Sequence, residues 1–429
     1  MLVAEYTIPG MHVRDHTLPV PLDWAQPVGR AIELFVREVV DPTKRNDDLP
    51  LLCFLQGGPG GKSPRPLRGS PPWLGEVLKT HRVILPDQRG TGRSTRVDGA
   101  TMARFDGEAG ADYLNCFRAD SIVRDFEHAR RTMFGKRWET LGQSYGGFLT
   151  LTYLSLAPEG LRACYVAGGL ASLRPSAAEV YRRTYPRVKA KTDLYYARYP
   201  ADVGRIAEIA DLLAGSDVRL PDGDRLTVRR FQTVGIDLGM APGNENIHWL
   251  IDEAFAEPGR LSDQFLMQAL SLTTYDSNPL FASLQESIYA QAGNGPTAWA
   301  AQAERDSLPA FDPNARPLLF TGEMMFPWMF EDIRSLRPFR AAVEALARRS
   351  THSNLYDPQR LRANEVPVSA VIYFDDFYVD AGLSLETAAE VGNLTHWVTN
   401  QYEHDGIRQD VQVMKRLREM VAERGGPLL

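Results

Sequence analysis

The stretch LGQSYGGF, Leu141 to Phe148, lies between two apolar runs and constrains the fold more than any other part of the chain. Gly142, Ser144 and Gly146 make the spacing G-x-S-x-G. That spacing permits a sharp turn from strand to helix, with small residues letting the backbone pack closely and the central serine held in a strained, exposed position. The surrounding segment, RWETLGQSYGGFLTLTYLSLAP, reads as strand, turn and helix. Such a serine does chemistry only if the rest of the chain supplies a base, an acid to orient the base, and donors for an oxyanion.

The flanking sequence repeats the same alternation. LPLLCFLQGGPGG and HRVILPDQRGTGRS are short apolar runs that each end in a glycine loop, AIELFVREV and LRACYVAGGL read as strands, and ADSIVRDFEHARRTMF has apolar residues at helical spacing, with Asp120 or Ser121 as its cap. Apolar strands alternating with amphipathic helices predict a mainly parallel sheet covered on both faces. The rhythm breaks after Leu173. From 174 to 348 the segments are mostly helical, and strand patterns return at VPVSAVIYFDDFYVD and LTHWVTNQYEHDG before a last amphipathic helix. The expected organisation is therefore a core half over 1–173, a helical lid over 174–348 and a second core half over 349–429.

Composition narrows the class of function. Acidic and basic residues are interspersed with a net charge of -6, so no basic groove for nucleic acid is expected. The three scattered cysteines form neither a disulfide framework nor a metal motif, and the sequence has no H-E-x-x-H, so no metal or cofactor is expected. The opening residues have no basic segment followed by an apolar one, and no apolar run is long enough to span a bilayer. A cytoplasmic protein without membrane contact is expected.

A serine hydroxyl is a poor nucleophile until a base takes its proton. On this kind of fold the chain order is serine, acid, histidine. The order excludes the four histidines before Ser144 and leaves His248, His352, His396 and His404. His404, in NQYEHDG just past a strand, is placed for a loop to aim it at the top of the sheet, whereas His396 lies within that strand and His248 and His352 fall in or near the insertion. The acid comes from VIYFDDFYVD. Asp376 follows the end of AVIYF, Asp375 is its neighbour and alternative, and Asp380 reads as a solvated or capping residue. The N–H of Tyr145, next to the nucleophile, is one oxyanion donor, and QGGPG, with Gly57 and Gly58, is placed to give the other.

The motifs GGPGG (Gly57 to Gly61), DQRGTGRS (Asp87 to Ser94), GQSYGG (Gly142 to Gly147) and EHDG (Glu403 to Gly406) together resemble those of the proline iminopeptidases, serine peptidases of the α/β-hydrolase superfamily. The likeness runs over most of the chain and is to the longer members with a large helical cap. One departure is Gln56, where family members often have histidine. DQRGTGRS is expected to tie loops together through Asp87 and Arg89. The resemblance implies a peptide substrate with a free N-terminus, whose amine is held by cap glutamates. Glu286 and Glu323 match best, each an acid in apolar company, and Phe326, Trp328 and Tyr145 would wall a slot for the pyrrolidine ring. The implied reaction is acyl transfer by Ser144, His404 and Asp376. A carboxylesterase on the same fold is the nearest rival, and a non-catalytic ligand-binding protein is the rival from another class.

Overall fold

The apolar segments pair into one sheet, seen in a computed structural model that describes residues 1–429. Strands β1 (Leu2–Ile8), β2 (Met11–Pro21) and β3 (Ala31–Val40) form an antiparallel meander on one side. Next come β4 (Leu51–Leu55), β5 (Arg82–Pro86), β6 (Trp138–Gln143) and β7 (Leu161–Ala167). The chain then leaves the sheet for a long helical stretch, interrupted by a small hairpin of β8 (Phe255–Glu257) and β9 (Arg260–Leu261). It returns as β10 (Val368–Tyr373) and β11 (Leu394–Thr399). The spatial order is β1-β2-β3-β5-β4-β6-β7-β10-β11, parallel from β5 onward. This is the α/β-hydrolase arrangement, in which the loops at the C-terminal ends of the strands gather into one site.

Every residue of β4, β5 and β6 is buried, as expected of strands covered on both faces. Leu52 and Phe54 point into one apolar cluster with Trp73, Met414 and Leu417. Cys53 and Leu55 point into the other, which runs without a break from the helix Tyr145–Leu156 into the helical stretch at Tyr185, Phe320 and Phe330. The insertion thus shares its core with the sheet. All three cysteines are free thiols, and no helix is long and apolar enough to cross a membrane.

One local expectation changes. The helix Ala119–Ala129 is capped by neither Asp120 nor Ser121: Arg118 stands at the cap position with no side-chain bond to the helix. Its guanidinium is drawn away, donating to the carbonyls of Ser287 (3.3 Å) and Ala290, so it stitches the core to the insertion.

Candidate active site

The strand-to-helix turn at Ser144 has the geometry the spacing requires. Ser144 sits at φ 54 and ψ -126, a region that side chains rarely occupy and that costs about 1–3 kcal/mol. Close packing enforces it. A Cβ on Gly146 would lie 1.9 Å from the carbonyl oxygen of Leu55 in β4, so the turn presses directly on the neighbouring strand. The Ser144 N–H donates to the Ala167 carbonyl at the end of β7 (3.0 Å), which locks the turn to the strand on the other side. The serine is only 8% exposed.

Asp376 and His404 are brought together. His404 Nδ1 lies 2.6 Å from Asp376 Oδ2, and Oδ1 of the same carboxylate accepts the N–H groups of Tyr378 (2.7 Å) and Val379 (3.2 Å). Asp376 is buried and fully committed, while its neighbour Asp375 is exposed to solvent. The ring of His404 packs against Tyr378, centroids 4.6 Å apart, and the backbone N–H of His404 donates to the carbonyl of Gly239 in the insertion (3.0 Å). The imidazole and the serine backbone both lie against the turn that follows β7. A Cβ on Gly168 would lie 3.3 Å from His404 Nδ1, and the preceding residue, Ala167, is the one that holds the Ser144 backbone. No hydrogen bond joins Ser144 Oγ to the imidazole, a contact that in enzymes of this kind tightens when substrate is seated.

The other candidates are accounted for elsewhere. His248 stacks on Tyr199 and bonds Asp202 (2.9 Å), and His352 bonds the carbonyl of Arg349 (2.9 Å). His396 lies in β11 as expected, but exposed at the sheet edge rather than packed. Asp380 caps the helix Ala381–Glu390 through the Leu383 N–H (2.9 Å) and is buried against Arg187 rather than solvated.

The glycine loop lies on the serine. A Cβ on Gly57 would sit 3.0 Å from Ser144 Cβ and 2.9 Å from the Gln143 carbonyl. Gly58 takes φ 122, open only to glycine without strain, and no backbone hydrogen bond uses the N–H of Gly57 or Gly58. Tyr145 begins the helix, where the first N–H groups have no partner within the helix. Free donors are thus available on both sides of Ser144. The carbonyl of Gln56, the residue that departs from the family pattern, accepts from Gln88 (2.7 Å) and pins the loop.

DQRGTGRS is scaffolding. Asp87 takes two bonds from Arg65 (2.8 and 2.7 Å) and one each from the Ser63 and Arg93 N–H groups. Arg89 pairs doubly with buried Asp125, and the cost of burying that carboxylate pushes its pKa up despite the partner.

The two candidate glutamates sit differently. Glu323 accepts from the side-chain amide of Gln285 (3.0 Å) and has no cation partner. Burial pushes its carboxyl well above the ordinary carboxylate range, the charge of Asp376 pushes the same way, and the Gln285 bond alone opposes them. Glu286 instead gives one oxygen to the N–H of Ala301 (2.9 Å), at the start of the helix Ala300–Asp306, while its other oxygen is buried without a partner. Burial raises its pKa to about 7 against the pull of those helix N–H groups.

Phe326 and Trp328 do not wall a slot. They stack on each other (5.7 Å) inside the insertion, with Arg305 over Phe326 and Arg229 over Trp328, so cation–π contacts and burial account for both. Tyr145 packs on Phe148 (5.8 Å), which in turn packs on Tyr289 (6.0 Å). Tyr289, Tyr378 and Gln285 were not singled out in the sequence. They belong to aromatic or amide-bearing runs whose facing depends on how the insertion docks.

Comparison with known proteins places this geometry in a family. A proline iminopeptidase from Aeromonas sobria is 42% identical over 416 residues, 96% of this chain and 97% of that protein. The chain belongs to the proline iminopeptidase family. A second proline iminopeptidase, from Aspergillus aculeatus, is 33% identical over 407 residues, 90% of this chain and 88% of its own length. A tripeptidyl aminopeptidase from Streptomyces lividans matches a smaller part, 26% identical over 34% of this chain and 33% of that protein. Residues 50–243 match the model of the alpha/beta hydrolase fold, a range that begins with β4 and the glycine loop after it and includes the turn at Ser144.

Proposed function

We propose that this chain is a serine aminopeptidase that releases N-terminal proline, or a similar residue, from peptides through an acyl-enzyme. Membership of the proline iminopeptidase family supports the reaction class. The observation that carries the site assignment is Glu323: a desolvated carboxylate with no cation of its own, close enough to Asp376 to feel its charge. A carboxylate so placed lacks only a cation, and the ammonium of a peptide's first residue supplies one. The insertion over 174–348 acts as the cap that holds this receptor above the core halves, 1–173 and 349–429.

The chemistry follows. With the ammonium against Glu323, the first peptide carbonyl lies over Ser144. His404 takes the serine proton as Oγ attacks, and Asp376 holds the Nδ1–H tautomer and stabilises the imidazolium. The N–H groups of Tyr145 and Gly58 receive the oxyanion. His404 then protonates the departing amine, and water hydrolyses the acyl-enzyme. Glu286, half spent on a helix cap, keeps one buried oxygen without a partner as the second acid of the insertion.

The test is hydrolysis of a prolyl arylamide beside its N-acetyl form, with Ser144→Ala as control. Turnover of the free amine alone, abolished in Ser144→Ala, is the expected result. Equal hydrolysis of the acetylated substrate would refute the amine receptor, and full activity of Ser144→Ala would remove Ser144 from the mechanism.

A further inference from the structure

A second polar cavity opens beside the oxyanion loop. It has a volume of about 230 Å³ and is lined by Gly60, Lys62, Gly90, Arg96, Asn278 and Leu280 among others, so core loops form one wall and the insertion the other. The loop that carries Gly57 onto Ser144 continues directly into it. Gly60 is three residues further on, and three residues span at most about 11 Å. The wall is close-fitting there: a Cβ on Gly60 would lie 2.6 Å from Leu280 Cβ and 2.7 Å from Asn278 Oδ1.

Its charge is one-sided. Lys62 and Arg96 both line the cavity, and neither pairs with a carboxylate. The nearest acid in sequence, Asp98, accepts the N–H and hydroxyl of Thr101 (both 2.9 Å) and feels the charge of Arg96 without forming an ion pair with it. Most other arginines around the core loops are paired: Arg65 with Asp87, Arg89 with Asp125, Arg93 with Asp15. The cavity therefore offers two cations with no direct carboxylate partner, Lys62 on the same loop that carries Gly57 onto Ser144. Glu323 offers a free anion on the amine side of the same serine.

Taking the aminopeptidase reading as given, we propose that this cavity seats the C-terminal carboxylate of short peptides. A peptide in extended form advances about 3.3 Å per residue, so a leaving group of two or three residues carries its carboxylate from Ser144 to Lys62 and Arg96. The enzyme then reads both ends of a small zwitterion. Its preferred substrates are tri- and tetrapeptides, and a chain that continues past the cavity, or ends in an amide, forgoes one of the two contacts.

The experiment compares kcat/KM for Pro-Gly-Gly and Pro-Gly-Gly-NH2, each divided by the same protein's value on a prolyl arylamide, which carries no carboxylate. Two solvent-exposed charge contacts favour the free acid by about fivefold. The ratio should fall toward one in Lys62→Met/Arg96→Met and to intermediate values in each single variant. In the wild type it should also shrink as salt rises from 0.05 to about 0.5 M. A wild type that cleaves acid and amide equally, or a preference that survives both substitutions and high salt, overturns the carboxylate seat and leaves the aminopeptidase reading standing. A wild type that releases proline from none of the three substrates overturns both.

Discussion

Replacing Glu323 by glutamine should move activity and stability in opposite directions. The carboxylate has one neutral partner, Gln285, and both burial and the charge of Asp376 disfavour its ionised form. Without substrate, the ionised group is a liability: a buried polar group left unsatisfied costs about 1–3 kcal/mol. Glu323 keeps some exposure to solvent, so the lower end applies, and Glu323→Gln should stabilise the free enzyme by about 1 kcal/mol near neutral pH. In a chain of this length that is roughly 1 °C in Tm, better resolved by urea titration. The gain depends on pH in a defined sense. Because the folded-state pKa is raised, the wild type has its full stability below the ordinary carboxylate pKa and loses it as pH climbs through the raised value. Glu323→Gln lacks that loss, so the two proteins should converge in acid and separate toward alkaline pH. With a free-amine substrate the sign reverses. The ammonium would face a neutral amide, and an unpaired buried charge costs about 3 kcal/mol, or roughly 100-fold in kcat/KM. The rising limb of kcat/KM against pH should also lose the contribution of Glu323. Equal losses on free-amine and N-acetylated substrates would refute the reasoning, as would a variant less stable than the wild type at alkaline pH.

Other perturbations test separate parts of the site. Gly57→Ala places a Cβ 3.0 Å from Ser144 Cβ and should push the donor loop off the oxyanion, lowering kcat by about 100-fold with little change in KM, as steady-state kinetics would record. Gly146→Ala sets a methyl 1.9 Å from a strand carbonyl and should cost about 3 kcal/mol or prevent soluble expression, read by thermal melting. Glu286, with its pKa raised to about 7, favours the fold fully below about 4.5 and loses that contribution as pH rises through 7, about 3 kcal/mol in total; Glu286→Gln should flatten this part of the stability profile between pH 5 and 8. Lys191→Met strands the carboxylate of Glu403, which Lys191 contacts at 2.6 Å on both oxygens, and should lower stability by about 2 kcal/mol and reduce kcat, with Lys191→Arg restoring most of both.

Those parts of the molecule governed by local rules were legible in the sequence. Apolar runs bounded by glycine loops gave β4, β5 and β6, and G-x-S-x-G gave the turn, because the spacing of small residues and the strand period are local properties. The pairing of His404 with Asp376 followed from chain order and from the positions where strands end. Properties decided by docking were not legible. Glu286 and Glu323 have similar apolar neighbours in sequence, yet one turns to a helix start and the other to an amide beside the acid of the site. Phe326 and Trp328 looked like a slot because aromatic residues carry no mark of which side they face, and the arginines that cover them lie about twenty to a hundred residues earlier. Arg118 was passed over as a helix cap because the carbonyls it seeks are more than 160 residues away. The meander of β1 and β2 escaped individual reading since β1, at the sheet edge, is largely exposed and lacks a buried face to impose alternation.

The same docking explains how recognition under the insertion can govern chemistry in the core. Asp376 and His404 are already joined, whereas Ser144 waits unbonded. The loop that carries His404 is held from the insertion, where the Gly239 carbonyl takes the His404 backbone N–H, Lys191 holds the preceding Glu403 and the Ile236 carbonyl takes the hydroxyl of Tyr378, and from the core, where Tyr373 takes the Ile407 N–H (3.0 Å) and Gln143 takes Arg408 (2.8 Å). The helix that carries Lys191 also reaches the second core half through Arg183 to Glu386 and Arg187 to Asp380. The imidazole is therefore positioned from both the insertion and the core, while the serine is fixed to the sheet through Ala167 and Leu55. An ammonium paired with Glu323 offsets the repulsion between the carboxylates of Glu323 and Asp376. Substrates with a free amine should therefore gain in kcat as well as in affinity, and a blocked N-terminus should lose both.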